Sequence, residues 1–419
     1  MASLLALPCE LSLKIIKLLD INNKIHLSAT CKSYRTQLVP EIFRTIRFTS
    51  DEASAASALA AVEAHGQHTN AIEFTCQCDG RHDYDRPTTP SLPPTAGKVL
   101  KGHLTPNLHK VTLKFDFNLD DHDDCDIMSL WGDVEDANTV RKEETREKWR
   151  ALMNEAWGAL AANTFVRELI LDGLPPKRTS TFYTDDFHRF LIQLESATIR
   201  IFGMEDFIGW RTNQAYDPHD FLSNLDAVFF RHMKGLKHLH IQASDPLGLA
   251  DTGNPYIPLA LKPEELPLLQ SLKLENCFVC AELVAFIQGH DKILKSLHLN
   301  ESFCGINLSW AEFFDQVYKA KPSLAELVYR DNKAPDMTED EVEARVNDYS
   351  ALDRLRQALE ADPALNLFRQ GCLDADEGDL FFDLEKDVMR FDQGDDQRAY
   401  ARLMGLVNEN RAKAKVNSK

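Results

Sequence analysis

The sequence predicts an α/β protein in which an N-terminal three-helix module is followed by an irregular solenoid of strand–helix units and a C-terminal helical cap. Two observations lead to this fold class. Apolar residues at helical spacing fill residues 7–43, a segment too short to bury all of its apolar surface by itself. The spacing apolar-x-x-apolar-x-apolar then recurs as far as Asn332, and helical periodicity returns beyond it.

The N-terminal segment is expected to form three short helices. Pro8 suits a first helical turn, where its missing N–H costs nothing. Leu11, Ile15 and Leu19 then fall on one helical face, and a second apolar set follows around Leu27. Helices this short bury only part of such surface among themselves, so the remainder needs a partner or the rest of the chain.

The order of residue types in this segment resembles the F-box, especially the form common in fungal proteins. One departure is Tyr34, near which many F-boxes have tryptophan. The resemblance implies docking onto the Skp adaptor and, through it, a cullin-based (SCF) ubiquitin ligase. The adaptor-binding positions that it implies are Leu7, Pro8, Glu10, Leu11, Ile15, Leu19, Leu27 and Cys31. The alternative is an ordinary N-terminal helical cap on a solenoid.

Four strong copies of the apolar spacing predict short strands, each with one buried face. Their middle residues, Leu239, Leu272, Leu297 and Leu327, should be equivalent core positions. Amphipathic segments between the copies predict helices. The copies resemble irregular fungal leucine-rich repeats, and the alternative is a doubly wound α/β sheet, for which the unit length is also acceptable.

Three domains follow from these patterns: residues 1–48 as the F-box, 49–332 as the leucine-rich-repeat-like domain, and 333–419 as a helical cap with an acidic segment and a basic tail. Proline, glycine and aspartate predict loop insertions in the middle domain. These insertions lie near residues 77–107, 116–138 and 245–263.

Composition limits the classes of partner. The net charge of -18 over 419 residues disfavours nucleic acid and anionic membrane surfaces. Nine scattered cysteines fit free thiols in a reducing compartment. Neither a convincing signal peptide nor an apolar run long enough to span a membrane is evident. We therefore expect a cytoplasmic and/or nuclear protein that binds neither nucleic acid nor membrane.

Motifs for metal, cofactor or catalysis are weak. Asp116, Asn118 and Asp120 have the odd-position spacing of a calcium loop, but the glycine and the final glutamate of that loop are missing. A zinc site could draw its ligands from Cys76 and Cys78 and from Cys277 and Cys280, but these two pairs lie about 200 residues apart in the sequence. We therefore expect no metal, no cofactor and no enzymatic activity; the competing enzyme hypothesis places a hydrolase or metal-dependent activity in residues 77–138.

The predicted function is a substrate-recognition subunit of an SCF-type ubiquitin ligase, which holds an unknown target protein near a ubiquitin-charged enzyme. The alternative is a non-catalytic F-box scaffold that binds the adaptor without directing ubiquitylation. Outward side chains of the strands are expected to line the concave face of the solenoid and to bind the target. The target-binding candidates are His238, His240, Lys273 and His298.

Overall fold

A computed structural model gives the structure of the chain. It describes residues 9–78, 91–117, 136–202, 216–248, 257–305, 307–330, 349–362, 365–373, 380–382 and 384–417. Among these residues, no helix combines the length and the apolar content that crossing a membrane requires.

Three helices open the described chain: α1 (Cys9–Leu18), α2 (Ile21–Thr30) and α3 (Lys32–Ile42). The carboxylate of Asp20 starts α2 by accepting a hydrogen bond from the backbone N–H of Asn23 at 2.8 Å, the usual role of an N-cap aspartate. Ile16, Tyr34 and Leu38 form a small core of their own, separate from the main core. The prediction of three N-terminal helices is confirmed.

Strands and helices alternate through the rest of the chain. The strands are β1 (Thr45–Thr49), β2 (Ala71–Cys78), β3 (Lys110–Phe117), β4 (Glu168–Leu174), β5 (Ser196–Ile201), β6 (His238–Leu247), β7 (Ser271–Val279), β8 (Ser296–Asn300), β9 (Phe303–Cys304), β10 (Glu326–Arg330), β11 (Gly371–Leu373) and β12 (Leu380–Phe382). The helices are α4 (Glu52–His65), α5 (Pro94–Leu100), α6 (Ala137–Arg146), α7 (Lys148–Ala161), α8 (Asp185–Ile192), α9 (Tyr216–Ser223), α10 (Ala281–Gly289), α11 (Trp310–Ala320), α12 (Tyr349–Ala361), α13 (Leu384–Gln393) and α14 (Asp395–Asn417).

Within the described residues, ten strands form one sheet in chain order, from β1 at one end to β10 at the other, with β9 paired to the end of β7. Leu272 of β7 lies in register with Leu239 of β6 and with Leu297 of β8, which in turn pairs with Leu327 of β10. All four leucines are buried. The predicted strands and their equivalent core positions are therefore confirmed.

The predicted fold class as a whole, an F-box followed by an irregular leucine-rich-repeat solenoid with capping helices, is wrong. The chain forms one continuous parallel α/β sheet instead. Its connections are too unequal for a repeat array: β3 ends at Phe117 and β4 begins at Glu168, whereas β7 ends at Val279 and β8 begins at Ser296. The apolar spacing misled the prediction because its last two positions, such as Leu239 and Ile241, are those of any strand with one buried face. The doubly wound alternative also fails, since its strand order reverses and this order does not.

The C-terminal helices differ in where they pack. Residues 331–348 lie outside the described residues, and α12 packs against α13. The long helix α14 packs against α11 and β10 instead. Its Ala399, Leu403 and Val407 are buried in the main core, so this helix covers the end of the sheet.

The predicted loop insertions lie partly outside the described residues. Residues 79–90, 118–135 and 249–256 cannot be compared with the prediction. Helix α5 lies inside the first insertion, and its Ala96, Val99 and Leu100 are buried. That part of the chain is therefore a helix packed on the core rather than a loop.

Candidate interaction surfaces

The first candidate surface is an apolar patch on α1 and α2. Leu18 is 87% exposed and Leu11 is 47% exposed, although both are large apolar side chains. The small core beneath them holds few buried side chains, so the short helices leave this apolar area to solvent. We name these exposed side chains the helical patch, and its members are Leu11 and Leu18, which share one face of α1, and Ile21 and Ile25, which share one face of α2.

The sequence-predicted adaptor residues divide into three groups. Leu7 and Pro8 lie outside the described residues. Glu10 and Leu11 are exposed, whereas Ile15 and Leu19 are half-buried. The last two, Leu27 and Cys31, are also half-buried and pack against the small core. They therefore contribute to packing among the three helices and expose little surface to a partner. The prediction did not name Leu18 and Ile21, although Leu18 lies seven residues after Leu11 and so shares its face of α1.

The second candidate surface is the side of the sheet that faces away from the main core, which we name the strand face. Its side chains follow the alternation of the strands, and those of β6, β7 and β8 lie side by side in register. One row contains His240, Lys273 and His298, and the row before it begins with His238. The structure thus brings all four predicted target-binding residues together on one face.

A glutamate that the prediction missed organises this face. The Oε1 atom of Glu275 accepts hydrogen bonds from the ammonium group of Lys273 and from Nδ2 of Asn300 at 3.1 Å, and it lies 3.4 Å from Nε2 of His240. Burial alone would raise the pKa of Glu275, but the bonds from Lys273 and Asn300 hold it below its usual value. The carboxylate is therefore charged at neutral pH.

His240 is the least exposed of the predicted contact residues. Burial lowers its pKa, and the positive charge of Lys273 lowers it further against the opposing attraction of Glu275. Its imidazole is consequently neutral near pH 7, with one ring nitrogen, Nε2, lacking a hydrogen-bond partner among the described residues. This nitrogen faces the carboxylate of Glu275, so His240 and Glu275 form a pair on the strand face.

His298 belongs to a second polar group at the β8–β10 end of the strand face. Its Nε2 lies 3.3 Å from Oε2 of Glu326, and that oxygen also accepts a hydrogen bond from the hydroxyl of Ser296 at 2.8 Å. The bonds from Ser296 and His298 lower the pKa of Glu326. Alternation along each strand was the signal that could have found Glu275, because it occupies an outward position.

Ion pairs continue the polar character of the strand face toward β1. Arg47 pairs with Glu73 at 2.6 Å, Lys110 with Glu168 at 2.7 Å, and Arg200 with Asp172 at 3.5 Å. Each pair joins neighbouring strands. The strand face is therefore a charged, hydrogen-bonding surface with few large apolar anchors.

The weak metal motifs gain nothing from the structure. Cys76 and Cys78 are buried free thiols, and Cys277 is buried so that its pKa rises to about 12. Cys280 directly precedes α10. The described residues contain no group of histidine, cysteine or acidic side chains arranged to hold a metal ion, and Asn118 and Asp120 lie outside them.

No family model matches the chain, and no curated protein does. One solved structure that it resembles is that of an L-ribulose 3-epimerase, with 12% identity, 90% of this chain and 97% of that chain covered, and a TM-score of 0.19. That protein is an enzyme, in contrast to the prediction of no enzymatic activity for this chain, and that prediction is not carried further. A TM-score this low assigns the chain neither the fold nor the reaction of the epimerase.

Proposed function

We propose that this chain is a substrate-recognition subunit of an SCF-type ubiquitin ligase. The observation that carries the proposal is the helical patch, in which Leu11 and Leu18 stand exposed on an N-terminal helical unit whose own core is small. Large apolar side chains in such a patch are typical of a surface that a partner covers. The resemblance of the same helices to an F-box supports the Skp adaptor as that partner.

The target protein is proposed to bind the strand face. His240, Lys273 and His298 lie in register there, beside the carboxylates of Glu275 and Glu326. A surface of this kind favours a polar target that is recognised by hydrogen bonds and charge. A chain that holds the target on one surface and the adaptor on another raises the effective concentration of the target near the ligase.

The proposed location is the cytoplasm and/or the nucleus. Cys31 and the buried cysteines of the sheet are free thiols, which fits a reducing compartment.

Co-purification from cells tests the proposal. The tagged chain should recover both the Skp adaptor and a cullin, and Leu11→Asp should abolish recovery of both. Leu268→Asp is the matched control, because Leu268 is 49% exposed and lies outside the helical patch. Recovery of the adaptor without a cullin would favour the scaffold alternative. Equal recovery by both variants would overturn the proposed docking surface.

A double variant tests the strand face. Lys273→Ala with His298→Ala should remove the proteins that accumulate on the wild-type chain when ubiquitin-dependent degradation is blocked, while adaptor recovery stays unchanged. Retention of those proteins would place the target elsewhere on the chain.

A further inference from the structure

A polar cavity of about 720 Å³ lies between the start of α11 and the helices α13 and α14. Four cationic side chains line it: Lys386, Arg390, Arg398 and Arg402. Three carboxylates, those of Glu312, Asp315 and Asp395, line it as well, so the lining carries one more positive than negative charge, in a chain of net charge -18. Two helices, α11 and α14, also begin at the cavity, and the N-terminus of a helix favours a negative charge.

Two of the carboxylates near the cavity are already engaged. Asp396 accepts hydrogen bonds from Nη2 of Arg390 at 2.6 Å and from the backbone N–H of Ala311 at 2.8 Å. Glu312 accepts hydrogen bonds from the backbone and hydroxyl of Ser309 at the start of α11. These contacts hold Arg390 and the start of α11 in the wall of the cavity. They do not involve Arg398 or Arg402.

Arg398 and Arg402 make only weak, exposed ion pairs. Arg402 pairs with Asp315 at 2.8 Å, and Arg398 pairs with Asp395. All four side chains are substantially exposed, so solvent screens both pairs. The two arginines lie four residues apart on α14 and therefore share one face of the helix. Each guanidinium can exchange its aspartate for a more highly charged anion without disturbing the fold.

An independent observation adds a buried hydrogen-bond donor. Gln370 lines the cavity and is 2% exposed. Its Nε2 has no hydrogen-bond partner among the described residues, although a buried polar group normally has one. The group that this nitrogen requires is an oxygen acceptor.

We propose that this cavity binds a phosphate group, with Arg398 and Arg402 as a two-guanidinium clamp and Gln370 as a donor. A tetrahedral dianion offers enough oxygens to engage both arginines at once, whereas one guanidinium suffices for a carboxylate. The inference is independent of the proposed ligase function. The phosphate can belong to a free phosphate ester or to a phosphorylated side chain of a protein.

Calorimetric titration of the full chain tests the proposal with two probes, inorganic phosphate and a short phosphoserine peptide. Both should bind, and Arg398→Gln with Arg402→Gln should weaken binding by at least about tenfold. Binding of the peptide about tenfold tighter than inorganic phosphate would identify a phosphorylated protein segment as the source, and equal binding would identify the free ester.

Arg354→Gln is the matched control. Arg354 is 56% exposed and pairs with Asp392, as Arg402, at 51%, pairs with Asp315, but it does not line the cavity. Its substitution should leave phosphate binding unchanged, and the thermal midpoints of both variants should match the wild type. Absence of phosphate binding to the wild-type chain, or equal loss in the control and the clamp variant, would overturn the proposal.

Discussion

The Nε2 atom of His240 lies 3.4 Å from the Oε1 atom of Glu275 on the neighbouring strand. The two groups stay differently charged near pH 7, because burial lowers the pKa of His240 whereas the bonds of Glu275 keep its carboxylate ionised. The pair thus combines a neutral imidazole with a fixed negative charge. Because the two groups are close together, protonation of either one changes the charge of the strand face, which is therefore sensitive to acid.

His240 should make the folded chain less stable in mild acid. Its pKa is lower in the folded than in the unfolded state. Below about pH 6.5 the unfolded state therefore binds the proton more readily, and the folded state becomes less stable as the pH decreases. His240→Gln should remove this component. Urea midpoints measured at about pH 7 and about pH 5.5 check it, since the wild type should lose more stability than the variant. Parallel losses in the two proteins would contradict the lowered pKa.

Glu265 should act in the opposite direction. Burial, with repulsion from Asp226, raises its pKa to about 6. A raised carboxyl pKa adds stability at low pH that is lost as pH rises from about 4.5 through about 6. Glu265→Gln should therefore stabilise the chain at about pH 7 by up to about 1–2 kcal/mol and should have little effect below about pH 4.5.

The control for Glu265 is its neighbour. Glu264 is exposed, so Glu264→Gln should leave the free energy of unfolding within about 0.5 kcal/mol of the wild type. Denaturant titration of both variants at the two pH values gives the comparison. Arg231 lies 3.8 Å from Glu265, and a destabilised Glu265→Gln protein at neutral pH would show that this ion pair outweighs the burial of Glu265.

Leu272→Asp should unfold the sheet from its centre. Leu272 is fully buried between Leu239 and Leu297, and an unpaired charge there should cost more than about 4 kcal/mol. Circular dichroism melting checks this, with Leu268→Asp as an exposed control expected to melt like the wild type. A normal melt of the Leu272 variant would place this residue outside the core.

Ser309 should stabilise the start of α11. Its hydroxyl accepts the backbone N–H of Glu312 at 3.3 Å, and the carboxylate of Glu312 accepts the backbone N–H of Ser309 at 2.9 Å. Loss of such a cap through Ser309→Ala should cost about 1 kcal/mol, whereas Ser309→Gly should cost only a few tenths, about 0.3 kcal/mol. Equal denaturation midpoints for the two variants would mean that this cap is not needed.

The sequence was most informative where local spacing decides structure. The leucines of the apolar spacing, among them Leu239 and Leu272, take their predicted places because alternation along a strand alone assigns the buried face. The whole fold was predicted wrongly, since that spacing does not state how long the connections are or how many strands join one sheet.

The candidate sites show the same division. His240 and Lys273 were predicted as neighbours from strand phase. The cavity was not predicted, because residues far apart in the sequence, such as Ser309, Gln370 and Arg402, meet only after α14 packs on the sheet. No local sequence pattern predicts which distant residues come together in the fold. The exposure of Leu18 also depends on how α1 packs, so helical periodicity did not find it.

The most direct test of the proposed function is the affinity of the purified chain for the purified Skp adaptor, measured by isothermal titration calorimetry. We expect the wild type and Leu268→Asp to bind equally, and we expect Leu11→Asp to bind at least about tenfold more weakly while keeping its thermal midpoint. A wild-type chain that does not bind the adaptor, or a Leu11→Asp chain that binds as tightly as the wild type, would contradict the proposed function.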